Sequence, residues 1–405
     1  MARADEQGEV VAAGLRARAI WFAELAGWRR GFVGAVAAKC GGLDEALRLE
    51  PRALAAIAAS RRRSRASEDD EAEAESSAFA AVLARGPALE AAADPNVVTW
   101  LDASYPPQLR ELPDPPPALF LRGRRAAGLA ALAGRHVVAV VGSRSPSPYG
   151  REMAAAIARD LTAAGVLVVS GLALGIDAVA HEAALDAARG RPADSVATVA
   201  VLGCGADVEH PASNGRLFAR VRAEGLLVSE FAWGIGARPW RFPARNRVMA
   251  GLCEAVVAVE GAERSGALIT ARHALDLGRG VFAVPGEAGR RLSAGPHRLL
   301  REGAALCESA RDVLEELGYG DLALGWTDRV TSREGGAQDA ADDPASRVVR
   351  VLDQGVRTAD QLAGDAGLAV PAVLSLLTGL EIDGVVEACG GGAYRLRRGG
   401  QGLAL

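Results

Sequence analysis

Val137-Val138-Ala139-Val140-Val141-Gly142-Ser143-Arg144 decides the fold of this 405-residue chain. Five apolar residues run into a glycine and then small polar residues (Ser145, Ser147, Gly150), after which Arg151–Ala164 carries a helical pattern. A short strand that is apolar on both sides and turns at glycine into a helix belongs to a sheet covered on both faces. The same unit recurs downstream. Strands are predicted at Val166–Ser170, Val196–Leu202, Leu226–Ser229, Ala255–Glu260 and Val281–Val284. Helices are predicted at Ala178–Arg189, Ser213–Glu224, Arg245–Leu252 and Ala267–Leu277, with Gly165, Gly225 and Gly278 where helices should stop. The pattern is that of a doubly wound α/β fold with a mainly parallel sheet.

Outward from that core the texture changes. Residues 10 to 60 read as short Ala/Leu-rich helices broken at Gly41-Gly42 and Pro51, and Arg61–Glu75 is a charge block expected as a linker or exposed helix. Val97-Val98-Thr99-Trp100 reads as a strand, followed by a proline-stiffened passage to Leu119–Leu121. Gly320–Asp343 is polar and uneven, a linker by composition. Beyond it come three predicted helices (Ala345–Asp353, Thr358–Ala366, Pro371–Asp383) and a hairpin, Val385–Ala388 with Ala393–Leu396, in the order of a winged-helix module. The expected domains are a helical region over 1–95, the α/β domain over 96–319, a linker over 320–344 and the winged helix over 345–405.

Composition narrows the function classes. The five cysteines are odd in number, far apart and without a C-x-x-C pair, which supports neither a disulfide framework nor a zinc site and fits a reducing cytoplasm. No apolar stretch reaches the roughly 20 residues a bilayer span needs. Lys39 is the sole lysine, so arginine replaces lysine throughout and a single arginine carries little information. Clusters carry more. From Phe231 to Gly251 there are four arginines (Arg238, Arg241, Arg245, Arg247) and no acid, in a chain of formal net charge −4. With Trp240 and Phe242 interleaved, this segment suits a polyanion that carries flat rings.

Ligands of open α/β sheets bind outside the carboxyl ends of the strands. Those ends read Gly142-Ser143-Arg144, Ser170-Gly171 through Gly175, Gly203-Cys204-Gly205, Ser229-Glu230, Arg264-Ser265-Gly266 and Pro285-Gly286. Small residues at helix starts leave backbone N–H donors open to phosphates. A nicotinamide dehydrogenase is disfavoured, because the first turn is not G-x-G-x-x-G and the second strand ends in Ser170 rather than an acid. The P-loop pattern is absent. Asp177 and His181 lie four apart on a helix without a nucleophile or metal ligand, and are read as a helix cap and a packed histidine rather than a catalytic pair.

The series of spaced motifs is similar to that of the DNA-processing protein DprA (Smf) family: Y-P-P-x-L at Tyr105–Leu109, G-S-R at Gly142–Arg144, S-G-L-A-x-G-I-D-x-x-A-H from Ser170 to His181, G-C-G-x-D at Gly203–Asp207, S-E at Ser229-Glu230, F-P-x-R-N-R at Phe242–Arg247, S-G-A-L-I-T-A at Ser265–Ala271 and V-P-G at Val284–Gly286. The resemblance covers residues 96 to 317 strongly and the tail more loosely. It implies a Rossmann-like core that binds single-stranded DNA, forms a homodimer and helps load RecA recombinase during natural transformation, without cofactor, metal or catalytic residue. The family's phosphate pocket maps onto Arg144, Arg245 and Arg247, with Phe242 and Asn246 beside them. With the glycine-rich rim, the expected DNA-binding set is Gly142, Ser143, Arg144, Ser170, Gly171, Gly175, Phe242, Arg245, Asn246, Arg247, Ser265 and Gly266. His210 departs from the family, which has tyrosine in that turn. The alternative is an enzyme related to the lysine-decarboxylase-like phosphoribohydrolases, but Pro285-Gly286-Glu287-Ala288-Gly289 does not reproduce their P-G-G-x-G-T-x-x-E stretch. In the tail, Pro371–Asp383 has no Arg or Lys and carries Glu381 and Asp383, which makes it a poor major-groove reader and points to protein contact or packing.

Overall fold

A computed structural model describes residues 2–29, 31–50, 53–54, 57, 70–123, 129, 132, 135–190, 196–319, 344–353, 355–382, 385–389 and 392–396. The chain divides into two compact units, Met1–Leu322 and Ala323–Leu405. The expected linker at Gly320–Asp343 lies outside the described residues, as does the stretch 61–69 of the charge block.

The first unit is built on a nine-stranded sheet. Its strands are β1 (Val97–Thr99), β2 (Ala118–Gly123), β3 (Val137–Val141), β4 (Leu167–Ser170), β5 (Thr198–Leu202), β6 (Leu226–Ser229), β7 (Ala255–Ala258), β8 (Gly280–Ala283) and β9 (Ala305–Leu306). They lie in the order β1-β2-β6-β5-β4-β3-β7-β8-β9. β3 to β9 form the parallel part, and β2 and β1 add antiparallel strands beside β6. The chain therefore winds from β3 through β4 and β5 to β6, then returns to place β7, β8 and β9 on the other side of β3. That reversal makes the fold doubly wound, as the sequence predicts. Every residue of β3, β4, β5, β6 and β7 is buried, which explains runs without polar alternation. Burial of each such Val or Leu side chain contributes about 1.5–3 kcal/mol relative to exposure. The sheet edges are short: three residues in β1 and two in β9.

Helices α5 (Pro148–Ala163), α6 (Ile176–Ala187), α7 (Gly215–Glu224), α8 (Arg241–Leu252), α9 (Gly266–Asp276), α10 (Ala294–Arg301) and α11 (Ala310–Glu316) follow successive strands of the parallel part, and α1 to α4 precede the sheet. Gly165 (φ 96°) and Gly278 (φ 66°) follow their helices in the left-handed region, as expected of stop glycines. Gly225 differs: its φ of −129° is extended. A side chain there would sit 2.5 Å from the Thr198 carbonyl oxygen, so close approach of α7 to β5 requires the glycine.

The N-terminal helices are α1 (Ala2–Trp28), α2 (Phe32–Cys40), α3 (Leu43–Arg48) and α4 (Asp70–Arg85). The first is a single 27-residue helix rather than several short ones, while the predicted break at Gly41 is a left-handed C-cap. Trp21, Phe22, Leu25, Phe32 and Leu47 form their shared core. Arg16 of α1 donates to the carbonyls of Ala92 (2.7 Å) and Asp94 (3.2 Å) at the entry to β1.

The second unit carries α12 (Pro344–Asp353), α13 (Ala359–Ala366) and α14 (Val370–Ile382), with β10 (Arg357–Thr358), β11 (Val386–Cys389) and β12 (Ala393–Leu396) in the order β10-β12-β11. It has the winged-helix arrangement plus a short third strand. Thr358 and Gln361 form a capping box at α13, and Gly367 (φ 64°) ends it. Among the described residues no single helix is long and apolar enough to cross a membrane.

Candidate nucleic-acid interface

The loops at the carboxyl ends of β3 and β4 interlock. Ile176 N–H donates to the Ser143 carbonyl at 3.0 Å. Gly175 has φ 81°, and a Cβ there would lie 2.2 Å from that same carbonyl oxygen. Asn214 reaches across with its amide donating to the carbonyls of Leu172 (3.1 Å) and Ala173 (3.2 Å), which fixes the β4–α6 loop. Ser170 is buried, with its hydroxyl on the Val140 carbonyl at 2.7 Å.

Three helix starts face this rim, and they differ in what meets their free N–H groups. At α5 the chain supplies its own anion. Glu260, at the end of β7, accepts from Ser147 N (2.8 Å) and Ser147 Oγ (2.6 Å), while Ser147 Oγ accepts from Gly150 N (3.1 Å). A carboxylate thus holds the place where a dinucleotide fold seats its pyrophosphate. At α6 the buried Asp177 accepts from Gly171 N at 3.2 Å; it lies in the first turn, not at the predicted N-cap, which is Gly175. At α9 no side chain caps the helix, its first turn has no acid, and a Cβ on the exposed Gly266 would meet open space. Of the three, α9 offers its donors outward.

The arginines of α8 divide by direction. Arg241 is 1% exposed; its Nε and Nη2 donate to the Gly27 carbonyl (3.1 and 2.7 Å), and the rings of Trp28, Phe231 and Trp240 surround it at 5.3, 5.7 and 5.1 Å. Its work is to fasten α1 to the core. Arg245, one turn later, is also buried, donating to the carbonyls of Gly171 (2.8 Å) and Val201 and to Asn246 Oδ1 (3.0 Å). A Cβ on Gly171 would lie 2.4 Å from Arg245 Nη1, which explains the glycine. Burial raises the Asp177 carboxyl above its ordinary range, against the pull of Arg245. Burial and Arg245 together push His181 down to about 3. Thr198 Oγ1 spends its hydrogen on the Val168 carbonyl (2.6 Å), so neutral His181 donates from Nδ1 to that hydroxyl at 2.9 Å. Both side chains make internal hydrogen bonds, His181 packs near the start of its helix as the sequence reading expects, and Asp177 is not the expected cap. Arg247 pairs with buried Glu230 and lies 3.8 Å from Asp114. Arg245 and Arg247, expected on phosphates, thus meet internal carbonyls and carboxylates.

What remains outward is Arg144. It is exposed, and its guanidinium carbon lies 5.4 Å from the centroid of Phe242. The Phe242 ring packs over Gly203, where a Cβ would come within 2.8 Å, and the His210 ring lies 5.4 Å from it at 34°. The expected set therefore sorts by burial. Arg144 and Gly266 are exposed; Gly142, Ser143, Phe242, Arg247 and Ser265 are half-buried; Ser170, Gly171, Gly175, Arg245 and Asn246 are buried. Asn246 links the groups, its amide donating to the Gly266 carbonyl at 3.2 Å and so tying α8 to the start of α9. Sequence reasoning missed His210 and Gly203 as neighbours of Phe242, although the aromatic character shared by tyrosine and histidine at position 210 was a usable signal.

Residues 96–318 match the DNA recombination-mediator protein A family. The chain belongs to that family. Residues 333–392 match its winged-helix domain. Among curated relatives, protein Smf of Escherichia coli is 40% identical over 297 residues, covering 73% of this chain and 75% of that protein. The DNA processing protein DprA of Streptococcus pneumoniae is 41% identical over 219 residues, covering 54% of this chain and 73% of that protein. The solved X-ray structure of DprA from Streptococcus pneumoniae superposes with a TM-score of 0.58 at 33% identity, over 72% of this chain and 95% of that one. In this member of the DprA family, the F-P-x-R-N-R motif splits: its phenylalanine faces the rim and its two arginines face inward.

Proposed function

We propose that this chain is a non-enzymatic, cytoplasmic protein that binds single-stranded DNA, protects incoming strands and helps load RecA recombinase during natural transformation. The relatives' name, DNA processing protein, fits this reading, and the family resemblance adds a homodimer. The observation that carries it is the Arg144–Phe242 pair, an outward guanidinium resting on an aromatic face at the carboxyl edge of a parallel sheet. A phosphate meets Arg144, a base stacks on Phe242, and the N–H of Gly266 takes a further phosphate oxygen, while Ser265 N–H is held by the Ala262 carbonyl at 3.0 Å. Arg245, Asn246 and the rim glycines set the positions of these groups from behind. Phosphate pairing and stacking carry no base-edge information, so recognition through these contacts is indifferent to sequence.

Gel shifts of single- and double-stranded oligonucleotides of equal length, at several salt concentrations, test the reading. Preference for the single strand is expected; equal or tighter binding of the duplex counts against it. Incubation with nucleoside monophosphates tests the enzyme alternative, with no released base expected.

A further inference from the structure

Three neighbouring strands of the parallel sheet, β3, β7 and β8, end in loops that hydrogen bonds stitch into one ledge. Ser147 of the first loop meets Glu260 of the second through both its N–H and its hydroxyl. The next residue, Gly261, donates to the Leu292 carbonyl of the third loop at 2.7 Å and accepts from Gly295 N at 2.8 Å. A Cβ on Gly295 would lie 2.6 Å from the Gly261 carbonyl oxygen, so the second and third loops close without room for a side chain there. Each loop carries an exposed arginine: Arg144, Arg264 and Arg291. Among the described residues none of these three guanidiniums forms a hydrogen bond or an ion pair. The acids of the same loops are engaged elsewhere: Glu260 on Ser147, Glu287 on Arg290 at 2.9 Å, and Glu263 on Arg298 at longer range. On the other side of β3 the edge changes character. The loops after β4 (171–175) and β5 (203–214) contain no arginine; they carry Asp207, Glu209 and the exposed Leu174. Phe242 packs over Gly203 on that side.

We propose that this ledge is a phosphate track: Arg264 and Arg291 take the phosphates that follow the one at Arg144, while the bases turn towards Phe242. The inference rests on the DNA-binding reading and gives the strand a direction across the sheet edge. A single strand carries its charge along one side and its apolar rings along the other, and the edge is divided in the same way. Adjacent strands lie about 4.8 Å apart, so three strand ends cover about 10 Å. A stacked strand carries one charge per roughly 3.4 Å, which places two or three consecutive phosphates over that distance. Guanidiniums without internal partners give up no bond when they meet a phosphate. Glu260 is the joint of the ledge, because it ties the Arg144 loop to the Arg264 loop.

The test measures binding of a thymidine oligonucleotide to the full chain over a range of salt concentrations. Arg264→Ala and Arg291→Ala should each flatten the log–log salt dependence by roughly 0.7, and the double variant by roughly 1.4. Melting temperatures should stay at the wild-type value, since neither side chain has an internal partner. Arg122→Ala is the control for net charge: Arg122 is exposed on β2, beside Leu227 at the opposite, amino edge of β6, and its loss should leave the slope unchanged. An abasic sugar–phosphate strand tests the direction, because it should respond to Arg264→Ala and Arg291→Ala as the thymidine strand does. Wild-type slopes in Arg264→Ala and Arg291→Ala, an equal effect of Arg122→Ala, or an abasic strand indifferent to both track variants each overturns the proposal. The two ideas fail separately. If Arg144→Ala flattens the slope and the track variants do not, the track alone falls; if all three bind like wild type, the DNA reading of the rim falls with it.

Discussion

The guanidinium of Arg144 stands over the ring of Phe242, and among the described residues no carboxylate pairs with it. An arginine held by a π-face keeps its N–H groups free for an incoming anion, at the modest energy of a cation–π contact, about 0.5–1 kcal/mol when exposed. The rest of the ring's surroundings include Gly203, over which it packs, and His210, whose ring lies 5.4 Å away.

Charge and stacking therefore separate by mutation. Arg144→Ala should flatten the log–log salt dependence of single-strand binding by roughly 0.7, one phosphate contact. Phe242→Ala should weaken binding by about 1–3 kcal/mol with little change in slope. Melting temperatures read beside the affinities separate a lost contact from a loosened loop over Gly203. An Arg144→Ala protein that binds like wild type at every salt concentration removes this rim as the DNA site.

Arg245→Ala should behave differently. It strips Asp177 of its neighbouring cation and two carbonyls of their donor, so stability should fall by about 3–5 kcal/mol, as when one partner of a buried pair is removed. The protein that remains folded should keep the wild-type salt slope. Normal stability with lost DNA affinity would place the Arg245 guanidinium on the ligand instead.

Acid should expose the His181 site. Its folded pKa of about 3 lies below the ordinary 6.5, so the unfolded chain binds more protons between those values and stability falls as pH drops from 6.5 towards 3. His181→Gln can keep the bond to Thr198 and does not titrate. Denaturant unfolding between pH 7 and roughly 4 should show the wild type losing stability relative to this variant. Parallel pH profiles for the two proteins would contradict a buried neutral imidazole.

Removal of residues 345–405 should leave single-strand affinity largely intact. The tail is a separate compact unit with its own core around Val348, Leu362 and Val373, and α14 contains no Arg or Lys. A folded, truncated chain that loses most of its affinity would assign DNA contact to the tail.

The parallel sheet was legible because burial on both faces writes itself as unbroken apolar runs; β3 and β6 have the predicted bounds. Helix starts without a capping side chain were less so. α8 begins at Arg241, four residues before the predicted Arg245, because Pro243 falls in the first turn, where its missing N–H is no loss. The site was half legible. Sequence shows that α8 is basic but not where each guanidinium points: Arg241 and Arg245 share a face at i, i+4, and their partners Gly27, Gly171 and Val201 are distant in the chain. Glu260 filling the α5 start was equally hidden, since only the crossover from β3 to β7 brings it to Ser147.

The blunt edges of the sheet have a consequence for assembly. With three residues in β1 and two in β9, the described edges of the nine-stranded sheet offer a second copy little backbone ladder to extend. An association through this unit would then rest on side chains of helices and loops, where single substitutions could retune it and leave the strand pairing untouched.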